Sequence, residues 1–148
     1  STLPEPDLAA HLRYLQAEQA AAREAPLSAR KALLVVMLAD AYADRLFGAQ
    51  DAADDVLAFR AGLGAGSPAL ELVFDVAAGR ARLVTEAVEV PLKDYGTLSV
   101  QDFMVSLYNH HSVQRVLVAA ADGSRHDIHA VLGEAITALA GGETGNPE

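Results

Sequence analysis

The sequence predicts an α+β fold: an N-terminal part of about three helices, then a β-hairpin, a helix, a strand and a helix that build a small mixed three-stranded sheet. Three observations lead there. The first 60 residues are rich in alanine and carry apolar residues at helical spacing. The apolar pattern then alternates in ALELVFDV (69–76), as a half-buried strand requires. Finally, VLVAAA (116–121) is apolar without interruption, as expected of a strand covered on both faces. A chain of 148 residues fits one domain that buries a core without disulfides or metal.

Residues 1–6, with Pro4 and Pro6, read as a loose leader. Leu8, Leu12 and Leu15 stripe the first helix, with Asp7 as its N-cap and Pro26 just beyond its end. KALLVVMLADAYADRLF, opening near Ser28, is the second helix, stopped at Gly48. Its residues 32–39 are apolar on every side, and such a helix wants cover all round. Asp51 to Arg60 opens with acidic residues that suit the positive end of a third helix. GLGAGSP (62–68) has the glycines of a phosphate loop, but a helix precedes it and a strand follows, so it reads as a flexible linker.

ALELVFDV and ARLVTEAVEV (81–90) form the hairpin, turning at 77–80 around Gly79. In SVQDFMVSLYNHH, Val100, Phe103, Met104, Leu107 and Tyr108 recur at i, i+3, i+4, i+7 and i+8. That is a helix, with Ser99 and Asp102 spaced as a capping box. Val113 to Ala121 is the interior strand, parallel to the second through a right-handed helical crossover. Asp122 and Gly123 turn the chain, and Ser124 with Asp127 repeats the capping-box spacing. Ile128, Val131, Leu132, Ala135, Ile136 and Leu139 stripe a last helix. Gly141 and Gly142 stop that helix, leaving 141–148 as a disordered tail.

Composition excludes several functions. With 20 acidic against 11 basic residues the formal net charge is −9, which opposes binding to nucleic-acid phosphates and to anionic lipid. The longest apolar run, 32–39, is too short to span a bilayer. There is no cysteine, hence no thiol catalysis and no cysteine-ligated metal. That fits a reducing compartment, and with no signal peptide visible the expected location is cytoplasmic.

Four of the five histidines lie between 110 and 129. His110 and His111 end one helix, while His126 and His129 sit in the first turns of the next. A strand of about eight residues spans roughly 26 Å between them, so the four do not make one site. His126 and His129, three apart on one helix, are a candidate metal pair, with Asp122, Asp127 or a symmetry-related chain supplying the third ligand. The strand–helix junction is also a candidate anion or ligand site, formed by Asp122, Ser124, Arg125 and His126 at a helix N-terminus. Asp40 and Asp44 lie one turn apart, where the second helix emerges into solvent beside Arg45. No motif names a reaction or a cofactor. The expected function is a non-enzymatic interaction or regulatory module, acting as a homodimer and open to a further protein partner. The alternative is a small-ligand- or metal-binding protein, with hydrolysis as its candidate activity, working at 122–129.

Overall fold

The computed structural model describes residues 7–49, 55–90, 96, 98–108 and 112–144. The leader 1–6 and the pair His110–His111 lie outside them. The architecture is α+β, with helices first and then a small sheet: α1 (Leu8–Glu24), α2 (Ala29–Gly48), α3 (Val56–Gly66), α4 (Pro68–Ala78), β1 (Arg82–Glu89), α5 (Val100–Tyr108), β2 (Ser112–Ala119), β3 (Arg125–Asp127) and α6 (Ile128–Thr144).

The first two helices begin where their capping residues place them. The Asp7 carboxylate accepts from the Ala10 N–H at 3.0 Å, and Ser28 Oγ accepts from the Lys31 N–H at 3.1 Å. Each satisfies a backbone donor that the first helical turn leaves free. Ser28→Ala is expected to cost about 1 kcal/mol of stability, read from the urea midpoint at constant m-value. The third helix is described from its cap at Asp55 onward, its expected acidic opening at 51–54 lying outside the described residues. Asp55 caps it, accepting from Leu57 and Ala58, and α3 runs on through Gly62 and Gly64 to Gly66. The expected linker is therefore helical, although each glycine weakens a helix by about 1 kcal/mol relative to alanine. Gly64 faces α4, where the position of a Cβ would be 3.5 Å from Glu71 Cβ.

The largest correction concerns ALELVFDV, which is helix α4 and not a strand. Ala69, Leu70, Val73, Phe74 and Val76 are its buried residues, a helical face rather than an alternating one. Ser67 serves two helices. Its N–H donates to Gly64 O at 3.3 Å to close α3, and its Oγ accepts from the Leu70 N–H at 3.2 Å to open α4. Pro68 holds the first helical position, where its missing N–H costs nothing. At the other end Gly79 has φ +84°. The Gly79 N–H bonds to Val76 O and the Arg80 N–H to Asp75 O, the Schellman closure that needs a left-handed residue. Gly79 thus ends a helix instead of turning a hairpin.

The sheet has the order β1-β2-β3 and is antiparallel throughout, not mixed. Arg82 pairs with Ala119 and Glu89 with Ser112, so β2 returns alongside β1 in the opposite direction. The expected parallel crossover is not formed, because β1 and β2 are direct antiparallel neighbours. Instead α5 packs on β2, where Asp102 pairs with Arg115 at 3.1 Å. The strand expected over Val113–Ala121 is the central one of the sheet, but it spans Ser112–Ala119: Val113, Val116, Leu117, Val118 and Ala119 are buried, whereas Ala120 lies beyond the strand and Ala121 is exposed in the turn. The third strand is RHD (125–127), a segment read from sequence as the start of the last helix. That helix begins at Ile128 and continues past Gly141 and Gly142 to Thr144.

One core unites these pieces. It joins Leu15 of α1, Val35, Val36 and Tyr42 of α2, Leu70 and Val73 of α4, Val116 and Val118 of β2, and Ile128, Leu132 and Leu139 of α6. The central helix is α2, which packs against α1, α3, α4, α6 and β1.

Candidate functional site

The segment 120–129 is a tight hairpin followed directly by a helix. Gly123 N–H donates to Ala120 O, and Ala120 N–H donates to Ser124 O, both at 3.0 Å. Gly123 has φ +87°, which completes the three-residue loop that joins antiparallel strands through a left-handed glycine. The chain then pairs with β2 over Arg125 to Asp127 and enters α6.

Within this turn Asp122, Ser124 and His126 form a hydrogen-bonded chain. Ser124 donates twice to Asp122 Oδ1, from its backbone N–H at 2.9 Å and from its hydroxyl at 2.5 Å. Ser124 Oγ also lies 2.8 Å from His126 Nε2. A hydroxyl has one proton, and here Asp122 receives it. His126 Nε2 must then donate to Ser124 Oγ. A serine nucleophile needs the reverse, with the imidazole taking the hydroxyl proton. The arrangement locks the turn and does not activate Ser124.

The same hydrogen bonds act on the acid. The Ser124 hydroxyl, then the Ser124 backbone N–H, and more weakly the charge of His126 lower the Asp122 pKa below the ordinary 3.8. A folded-state pKa below the unfolded value gives stability that is present above 3.8 and lost as the pH falls through the lower folded value. In a carbon-detected NMR titration, Asp122 is therefore expected to titrate on the acid side of 3.8. Ser124→Ala should move it back upward; an unchanged midpoint would refute the assigned cause.

The structure does not assemble the expected metal set. His126 lies on β3 and His129 on α6, so the two do not share one helical turn. His126 turns to Ser124, while His129 Nε2 lies 3.1 Å from Pro26 O in the α1–α2 connection. Donation to that carbonyl leaves Nδ1 as the acceptor side of the ring, buried with no hydrogen-bond partner among the described residues. No group of three or more His, Asp or Glu side chains is placed to hold a metal ion among the described residues.

The expected anion cradle is also occupied from within. Asp127, not Ser124, caps α6, its Oδ2 accepting from the Ala130 N–H at 2.9 Å. A carboxylate thus holds the place an anion would take at that helix start. Arg125 is committed as well, to Glu86 of β1 at 3.3 Å and to Gly123 O at 3.1 Å. Asp122, Gly123 and Arg125 are exposed, so the junction projects into solvent rather than lining a deep cavity.

The Asp40–Asp44 pair has a partner the sequence did not reveal. Arg60 of α3 bridges them, bonded to the Asp40 carboxylate, to Asp40 O at 3.2 Å and to Asp44 Oδ1 at 3.0 Å. Its guanidinium lies 4.2 Å from the centre of the Phe74 ring. This cluster clamps α2, α3 and α4 together, through two carboxylates and one aromatic face.

Two apolar surfaces are exposed among the described residues: α5 presents Val100, Phe103, Met104, Val105 and Leu107, and α2 presents a second. The outward face of α2 carries Leu33, Leu34, Met37 and Leu38, with exposures of 41%, 47%, 49% and 37%. Tyr14 of α1 and Leu27, just before α2, extend it, at 59% and 53%. Leu27 also lines a groove of about 390 Å³ with Pro26, Asp102, Val105 and Arg115. The all-round apolar character of residues 32–39 anticipated this face, which stays exposed among the described residues.

Among the described residues no helix is long and apolar enough to cross a membrane. Comparison with protein-family models finds no match, and comparisons with curated proteins and with solved structures find none either.

Proposed function

We propose that the protein is a non-enzymatic interaction or regulatory module that works as a homodimer. The observation that carries this reading is the uncovered apolar face of α2. Contiguous apolar patches on a protein surface are where association surfaces are found. The turn at 122–126 adds weight from the other direction, because its serine, aspartate and histidine satisfy one another and leave no activated nucleophile. A self-complementary helix face suits a two-fold dimer, in which one patch meets its own copy.

The test is sedimentation equilibrium of the full chain. At about 100 μM, where a micromolar dimer is essentially complete, the expected mass is twice 15.5 kDa. Leu34→Glu places a charge in the patch and is expected to shift the equilibrium to monomer, with the far-UV circular dichroism of the protomer kept. A wild-type monomer at that concentration overturns the proposal.

A further inference from the structure

The outward face of α2 has a pattern as well as a composition. Arg30, Leu34, Met37, Ala41, Asp44 and Gly48 follow one another at alternating spacings of four and three residues, and all six are exposed. That is the spacing of a helix–helix seam. Leu33 and Leu38 flank it. The seam is polar at its ends and apolar in the middle, and its ends carry opposite charges.

We infer that two copies of the chain pair through α2 in antiparallel orientation, with the two-fold axis at Met37; this rests on the homodimer reading above. Arg30 and Asp44 are equidistant from Met37 along the helix. Antiparallel pairing about that residue therefore sets Arg30 opposite Asp44 of the partner subunit, twice by symmetry. Met37 meets the partner's Met37, and Leu33 meets the partner's Ala41, a small residue that lets the two backbones approach. The parallel alternative sets Arg30 on Arg30 and Asp44 on Asp44, a like-charge arrangement that disfavours association. It also aligns the two helix dipoles, which the antiparallel arrangement opposes. Asp44 is available for the contact: its side chain is 61% exposed and gives one oxygen to Arg60, while a carboxylate has sites for a second guanidinium. Methionine at the axis suits a self-contact, since its flexible thioether adapts to a copy of itself.

The chain contains no cysteine, so single cysteines report the geometry directly. Met37→Cys is expected to oxidise to a disulfide-linked dimer, because a residue on the axis lies beside its own copy. Arg30→Cys alone and Asp44→Cys alone are expected to stay unlinked, whereas an equimolar mixture of the two cross-links. In parallel, Arg30→Asp is expected to raise the dimer dissociation constant about tenfold, and adding Asp44→Arg to the same chain is expected to restore it. Circular dichroism of each variant separates loss of pairing from loss of fold. A wild-type dimer in which Arg30→Cys links to itself, or Met37→Cys does not link, overturns the antiparallel arrangement and leaves the dimer standing. A wild-type monomer removes both.

Discussion

Leu132→Ala is expected to lower the unfolding free energy by about 3–4 kcal/mol, the range for a leucine truncated in a packed core. Leu132 has no solvent exposure and belongs to the cluster that joins α6 to α2 and α4. The cost has two parts, the lost transfer of apolar surface and the cavity left behind. Neighbours from several elements limit how far that cavity can collapse. Urea unfolding at one fixed protein concentration measures the change. The concentration matters because dimerisation would add a mass-action contribution to apparent stability. A loss below about 1 kcal/mol would mean that α6 is not a core element.

Leu72→Pro is expected to cost about 3 kcal/mol or more beyond the cost of Leu72→Ala at the same site. Leu72 lies inside α4 and is partly buried against the core. Proline there removes a backbone hydrogen bond and drives its ring into the carbonyl four residues back. The alanine variant isolates the packing loss, and the difference between the two reports the helical backbone. Equal destabilisation by both substitutions would contradict helix in this segment.

That second substitution probes the place where sequence and structure diverge most. Leu70, Leu72, Phe74 and Val76 alternate as a strand would, yet Leu70, Val73 and Phe74 recur as a helix does, and the segment satisfies both periods. What decides is at its ends. Ser67–Pro68 is a cap followed by a first-turn proline, and Gly79 is a left-handed stop; together they outweigh the alternation. The strand RHD was hidden for another reason. Three residues are too few to show a period, and Ser124 to Asp127 imitates a capping box while Asp127 alone does the capping. By contrast, α1, α2 and α5 were legible because cap and period agree in each, and β1 and β2 because each is a β-branched, apolar-rich run.

The candidate site was legible in composition but not in geometry. Asp122, Ser124 and His126 do come together, through a turn that Asp122–Gly123 announces. Nothing in the spacing told that His126 and His129 would face different neighbours, since that depends on the strand ending between them. Arg60 lies far along the chain from Asp40 and Asp44, and only the crossing of α3 on α2 brings it there. The outward face of α2 was visible as an excess of apolar residues. Its seam and end charges could have been read from the alternating four-and-three spacing.

The register of the sheet has one more consequence. The chain leaves at Glu89 and re-enters at Ser112, directly opposite, so the two ends of the intervening stretch are already neighbours. A two-residue turn between them would close a minimal loop, and spreading them around a longer insert adds only a slowly growing entropic cost. The tip of this β-ribbon is thus a natural port for added sequence, whereas α5, which packs on β2, is the part of the native stretch that the framework itself uses.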